Sequence, residues 1–92
     1  YLKKIIENLI KDELSIFHID IDDLTKNHTH HKGYDGGGHY KAIIVSDDFK
    51  NLNLIKRHQK IYKILNTMMK KEIHAFSMQT LTIKEYETKK AR

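Results

Sequence analysis

The chain has 92 residues, of which 39% are hydrophobic and 32% are charged, a composition that suits one small globular domain. Its formal net charge of +5 is compatible with a nucleic-acid partner or an acidic protein surface. The chain contains no cysteine, which excludes disulfides, thiolate catalysis and any zinc or iron–sulfur site built from its own thiolates.

The first part of the sequence predicts a helix followed by a strand. Apolar residues near the N-terminus recur at the spacing of an amphipathic helix of about two to three turns. From Ile16 to Asp22 the period changes to two, which indicates a half-buried strand with an acidic, solvent-facing side. The apolar residues of the helix are Leu2, Ile5, Ile6, Leu9 and Ile10. The strand's predicted buried face holds Phe17, Ile19 and Ile21, and its exposed face holds His18, Asp20 and Asp22.

No periodicity is visible between Leu24 and Gly38, where glycine and histidine are frequent. This composition predicts a long, flexible connection between two strands. Most hairpin connections need only a few residues, so a loop of this length in so small a domain indicates a functional or a disordered segment.

The next predicted elements are a strand and a long helix. Residues His39 to Ser46 are apolar and β-branched toward the end of the run, which predicts the second strand. Asn51 or Asn53 is expected to cap a helix that runs from about Leu54 to about Lys70. The predicted apolar face of this helix consists of Ile55, His58, Ile61, Tyr62, Leu65, Met68 and Met69. The opposite stripe consists of Lys56, Lys60, Lys63 and Lys70.

The last predicted elements are a third strand, Ile73 to Leu81, and a short helix that extends through Tyr86. Thr82 and Glu85 have the spacing of a capping box, which starts that helix. The resulting order predicts an α+β domain with helices packed against one face of a three-stranded sheet. We expect residues 1–88 to form this single domain and residues 89–92 to be a disordered basic tail. Because the chain begins with Tyr1 rather than Met, we also expect that an N-terminal piece is missing.

Seven histidines in a chain without cysteine make metal ligation a question from the start. His74, on the third predicted strand, is expected to share a face with Phe76 and Met78. Taken alone, its context favours a partly buried ring that bonds to a backbone carbonyl. His39 is interpreted as a structural strand residue, and His58 as a packed core residue.

The predicted loop carries three further histidines, His28, His30 and His31. They lack the i, i+4 spacing of a helical metal site and have no acidic residue at the distance typical of zinc proteases. They fit a solvated polar loop, or one of them supplies an imidazole that forms a two-histidine half-site with His74.

Four basic residues of the long helix, Lys56, Arg57, Lys60 and Lys63, are predicted to lie on or near one exposed stripe that can follow phosphates. The more frequent reading of such a charge run is a solvated surface. Catalysis has little support, because the sequence has no Ser-His-Asp arrangement, no nucleophile elbow and no phosphate loop. We therefore do not expect an enzyme.

Three segments closely resemble the BolA family in their order and spacing. They are Gly36 to Phe49, Leu54 to Tyr62 and Ile73 to Thr82, and the resemblance extends from about Tyr1 to Glu87. It implies a fold akin to type II KH domains, with a turn that divides the central helical region. It also implies that the third strand returns beside the first two and gives a mixed sheet.

The resemblance implies an adaptor function. BolA-like proteins bind a monothiol glutaredoxin and share a glutathione-ligated [2Fe–2S] cluster with it, in cluster trafficking or iron sensing. His74 matches the histidine of their His-Ala segment, which is a cluster ligand. Their loop supplies a cysteine or histidine as the second ligand, and here His30 is narrowly favoured over His28. The thiolates must then come from the partner and glutathione, so we expect a heterodimer with glutaredoxin and a monomer otherwise.

Two other functions stay open. One is a KH-like nucleic-acid-binding regulator, although the turn at residues 47–51 begins with two acids and lacks the glycines of a Gly-X-X-Gly loop. The other is a zinc- or copper-binding domain that uses the histidine loop. No apolar run has the length of a membrane span, so we expect a soluble intracellular protein, in the cytoplasm or the mitochondrion.

Overall fold

The computed structural model describes residues 2–25 and 37–90. These residues form four α-helices and three β-strands, in the order that the sequence predicts. The elements are α1 (Leu2–Glu13), β1 (Ile16–Asp23), β2 (Gly38–Ser46), α2 (Leu54–Ile64), α3 (Asn66–Met69), β3 (Ile73–Leu81) and α4 (Ile83–Lys90). Leu65 separates α2 from α3, which confirms the turn implied for the central helical region.

The strands form one mixed sheet in the order β1-β2-β3. β1 and β2 are antiparallel, whereas β2 and β3 are parallel. Parallel neighbours cannot be joined by a tight turn and need a crossover, which α2 and α3 supply here. The predicted mixed sheet is therefore confirmed, with β3 added beside β2.

The hydrophobic core lies between the helices and one face of this sheet. α1 contributes Ile6 and Ile10 and α2 contributes Ile61, all fully buried, and alternate residues of the strands face them. The buried residues of this core are Ile6, Ile10, Leu14, Ile21, Tyr40, Ala42, Ile44, Phe49, Ile61, Leu65, Met68, Ile73 and Phe76. None of the helices in the described part of the chain is both long and apolar enough to cross a membrane.

Two predicted helix caps are present. The side chain of Asn53, rather than that of Asn51, accepts a hydrogen bond from the Lys56 N–H at 2.9 Å and caps α2. At the start of α4, the Thr82 N–H donates to the Glu85 carboxylate at 2.8 Å, and the Glu85 N–H donates to the Thr82 hydroxyl at 3.2 Å. This reciprocal pair is the predicted capping box.

The final helix is longer than predicted. α4 continues past Tyr86 to Lys90, so residues 89 and 90 of the expected basic tail are helical. Lysines in the last turn interact favourably with the negative end of the helix dipole, which is consistent with this extension. Residues 91 and 92 lie outside the described residues.

β1 contains a bulge that changes the predicted alternation. Ile16 pairs with Ser46 and His18 pairs with the preceding residue of β2, so β1 uses one more residue than β2 at this point. The extra residue is Phe17, whose side chain is 57% exposed, and its predicted place on the buried face is wrong. The ring instead lies edge-on to Tyr86 of α4, with the ring centroids 6.4 Å apart.

The predicted apolar face of α2 is also corrected, both at the start of the helix and near its end. Ile55 is 69% exposed and Tyr62 is partly exposed, whereas Arg57 is buried. The first turn of α2 packs beside the end of β3 and the start of α4, where backbone carbonyls and a carboxylate need a donor rather than an apolar partner. His58 is half-buried, in keeping with its interpretation as a packed residue.

Arg57 connects four separate parts of the fold. Its guanidinium donates to the carbonyl oxygens of Leu52 at 2.9 Å and Thr80 at 3.0 Å, and to the two carboxylate oxygens of Glu85 at 2.7 and 3.3 Å. The same group lies over the ring of Phe49, 5.9 Å from its centroid. A fork of planar donors satisfies all these acceptors at once, which the single ammonium of a lysine cannot do.

We expect Arg57→Met to lower the free energy of unfolding by about 1 to 3 kcal/mol, because it leaves the buried Thr80 carbonyl and the partly buried Leu52 carbonyl without this donor. Urea denaturation measures the change. Lys60→Met, at an exposed position of the same helix, is the control and should change stability by less than about 0.5 kcal/mol. Equal losses in the two variants would contradict a structural role for the Arg57 contacts.

The Arg57 hydrogen bond also sets a pH dependence. Together with the Thr82 N–H, the Arg57 guanidinium holds the pKa of the Glu85 carboxyl below its ordinary value of 4.5. A carboxyl whose pKa is lower in the folded state stabilises the fold above its unfolded pKa, and this contribution is lost as the pH falls through the folded value.

The difference in unfolding free energy between the native chain and Glu85→Gln should therefore be largest near neutral pH and shrink below pH 4.5. Urea denaturation across this range measures it. Glu87→Gln removes the same charge from an exposed position of α4 and serves as the control for charge alone. A Glu85→Gln difference that is independent of pH would contradict the pairing with Arg57.

Candidate metal centre

A second bulge lies at the start of β3 and involves His74. Gly38 pairs with Ile73, whereas the next residue of β2, His39, pairs with Ala75, so His74 is the additional residue of β3 at this point. Ile73 and Phe76 are both buried although they are three positions apart, and residues at odd separations in a regular strand face opposite sides. The bulge therefore directs Ile73 into the core and leaves His74 exposed.

Two expectations for His74 are corrected by this geometry. Without the family resemblance, the sequence predicts a partly buried ring, and it also predicts that His74 shares the face of Phe76 and Met78. The extra residue in β3 reverses the alternation on its N-terminal side, so Phe76 is buried while His74 is exposed. Bulges of this kind frequently re-aim a side chain next to a functional site.

The ring of His39 lies beside that of His74. The ring centroids are 4.9 Å apart and the ring planes are inclined by 40°. His39 is half-buried near the start of β2, and its backbone N–H donates to the Thr25 hydroxyl at 3.2 Å. Its carbonyl oxygen accepts the Leu24 N–H at 2.8 Å. These bonds attach the backbone of His39 to the end of β1.

The sequence places His39 correctly in a strand but does not reveal its proximity to His74. That proximity depends on the parallel pairing of β2 with β3 and on the bulge, neither of which has a local sequence signal. A side chain at Gly38 would begin within 2.5 Å of the Tyr40 ring, so the start of β2 is tightly packed.

Both histidines line an open groove of about 530 Å³. The Tyr62 hydroxyl donates to the Phe76 carbonyl oxygen at 2.9 Å, which holds the tyrosine ring as one wall of the groove. The other lining residues are Leu24, Tyr40, Met69, Ala75 and Ser77. The groove is lined mostly by apolar and aromatic residues around a pair of imidazoles, which are common metal ligands.

Among residues 2–25 and 37–90, no group of three or more His, Cys, Asp or Glu side chains is arranged to hold a metal ion. The pair His39 and His74 is thus the largest set of such ligands in the groove from the described segments. His28 and His30, which the sequence names as loop ligands, lie outside the described residues. Leu24 and His39 both line the groove, so the ends of that loop flank it.

The predicted basic stripe on α2 is reduced from four residues to three. Lys56, Lys60 and Lys63 are exposed, but Arg57 is only 7% exposed and its donors are used within the fold. Lys60 and Lys63 also line a cleft with the carboxylates of α1, which lowers the local positive potential. Those carboxylates belong to Asp12 and Glu13.

The model of the BolA-like protein family matches residues 10–85, most of the chain. The chain belongs to the BolA family. Over 86 residues it is 35% identical to a protein of Haemophilus influenzae named DNA-binding transcriptional regulator BolA, and the match covers 94% of this chain and 82% of that protein.

Two solved structures from Arabidopsis thaliana confirm the BolA fold. The BolA domain of SufE1 superposes with a TM-score of 0.79 at 32% identity, covering 89% of this chain and 92% of that one. BolA1 superposes with a TM-score of 0.77 at 28% identity, with the same coverage of the two chains. The α+β architecture with its mixed sheet is therefore shared with BolA proteins of known structure.

Proposed function

We propose that this BolA-family chain is an adaptor rather than an enzyme, and that it binds a monothiol glutaredoxin and shares a glutathione-ligated [2Fe–2S] cluster with it. Its role would be cluster trafficking or iron sensing. The observation that carries the proposal is the exposed ring of His74, which a bulge directs out of the core and beside His39. An imidazole in this position is accessible to a group held by a second protein.

The side chains present fit one half of such a cluster. In Rieske-type centres two imidazoles ligate one of the two irons and raise the reduction potential above that of all-thiolate clusters. His74 would be the first imidazole, and the sequence names His30 or His28 for the second. The other iron needs thiolates, which this chain lacks and which glutaredoxin and glutathione would supply.

The surface around the groove suits a protein partner. Tyr62 forms a wall of the groove and is 40% exposed. Exposed apolar and aromatic side chains are typical of protein interfaces. A glutaredoxin that docks over the groove would cover Tyr62 and exclude water from the two imidazoles.

His74→Ala should leave the fold intact, because the side chain is exposed, and should abolish the change that this protein causes in the visible absorption and circular dichroism of cluster-loaded glutaredoxin. The matched control is His18→Ala, which removes another exposed strand histidine far along the sheet, where it stacks on Tyr86. The control should behave like the native chain. An unchanged spectrum with His74→Ala would remove this residue from the site.

Nucleic-acid binding is the second candidate function, and it is favoured by the name of the Haemophilus influenzae relative and by the three exposed lysines of α2. The contribution of these lysines is electrostatic and carries no base specificity. The burial of Arg57 leaves the stripe without a guanidinium, the group that most often reads guanine in the major groove.

Binding to duplex DNA through Lys56, Lys60 and Lys63 should be weak, with a slope of log affinity against log salt of about −3. Lys60→Ala should reduce the slope by about one, whereas Lys71→Ala, an exposed lysine outside α2, should not. Fluorescence anisotropy at several salt concentrations measures both. Sub-micromolar, sequence-selective binding at physiological salt would favour the regulator function over the adaptor function.

A further inference from the structure

We propose that His39 and His74 together chelate one transition-metal ion, so that His39, a strand residue, is the second imidazole of this site. Chelation of a single divalent ion by the isolated chain is independent of the proposed function. The extension to the iron of a shared cluster rests on that function. The inference replaces a loop histidine by a residue that the sequence interprets as purely structural.

The spacing of the two rings matches a shared ion. A metal ion lies about 2.1 Å from an imidazole nitrogen and therefore about 3.2 Å from the centre of the ring. Two rings on one ion, at ligand angles between about 90° and about 109°, have centres about 4.5 to about 5.2 Å apart. The observed centroid separation of 4.9 Å falls within this interval.

The backbones of both residues are already held in place. His39 is tied to Thr25 and Leu24 on one side and to β3 on the other, and His74 is enclosed in the bulge between paired residues of β3. The second side-chain torsion of histidine is broad, so rotation about it changes the direction of the ring nitrogens without backbone movement. Sites built on strands are held more precisely than sites built on loops.

The groove leaves coordination positions for other ligands. Its volume of about 530 Å³ and the exposure of His74 leave one side of the imidazole pair open to solvent or to a partner. Imidazole suits zinc, copper, nickel and iron, so the donor set does not restrict the site to a single metal. Met69 and Tyr62 also line the groove.

The test uses Cu²⁺ as the probe and the full chain in which His28, His30 and His31 are replaced by alanine, since these residues offer imidazoles of their own. This background variant should bind one Cu²⁺, with an electron paramagnetic resonance spectrum that shows coupling to two imidazole nitrogens. Adding His39→Gln or His74→Gln should weaken the affinity at least tenfold and leave coupling to one nitrogen. His18→Gln in the same background is the control and should change neither quantity.

Two variants at position 39 guard against loss of the fold. His39→Gln keeps a polar side chain at the start of β2 and His39→Ala removes it, and circular dichroism should show that both remain folded. The proposal is overturned if the background variant binds no Cu²⁺ at the pair, or if folded His39→Gln binds it with unchanged affinity and two nitrogens.

A parallel titration with cluster-loaded monothiol glutaredoxin separates this inference from the proposed function. The background variant should still alter the cluster spectrum, and His39→Gln should abolish that change. If Cu²⁺ binds the pair but no variant affects the glutaredoxin cluster, the proposed function fails and the chelate stands. If the loop replacements abolish the change in the cluster spectrum and His39→Gln alone does not, the adaptor function stands and His39 is not its ligand.

Discussion

The parallel pairing of β2 with β3 is the constraint on which the rest of the structure depends. Parallel neighbours need a crossover, so α2 and α3 must pass over the sheet, and their apolar sides then cover the core face. The same pairing places the N-terminal ends of β2 and β3 side by side. His39 and His74 therefore lie next to each other, although they are far apart in the chain.

The two ends of this parallel pair have different physical characters. At the C-terminal end, Arg57 donates to the Thr80 carbonyl and to Glu85, and so joins α2, β3 and α4 through one buried and one partly buried contact. At the N-terminal end, a bulge interrupts the ladder and exposes His74 beside an open groove. The contacts of Arg57 therefore hold the C-terminal end of the pair, whereas its N-terminal end leaves His74 exposed.

Local signals in the sequence were sufficient for the order of elements and for the caps. Asn53 and the pair Thr82 and Glu85 act within one turn of helix, so their patterns do not depend on the rest of the fold. Burial near the start of α2 was not predictable in this way. A buried arginine lies there because acceptors from β3 and α4 surround Arg57. Those acceptors come together only in the tertiary structure, so the local sequence pattern does not predict them.

The candidate site was predictable only in part, for a related reason. The resemblance to BolA proteins names His74 as a candidate ligand, a role that stays a prediction. A bulge shifts the alternation of a strand by one residue and leaves no mark in hydrophobic periodicity, so the sequence pattern does not predict the exposure of His74 or of Phe17. The proximity of His74 to His39 becomes visible only when the two strands are aligned in register.

Under the proposed function, this site has a physical consequence for cluster transfer. Imidazoles are neutral and softer thiolates hold iron–sulfur clusters more strongly, so a chain that contributes only imidazoles retains a cluster only while its partner supplies the thiolates.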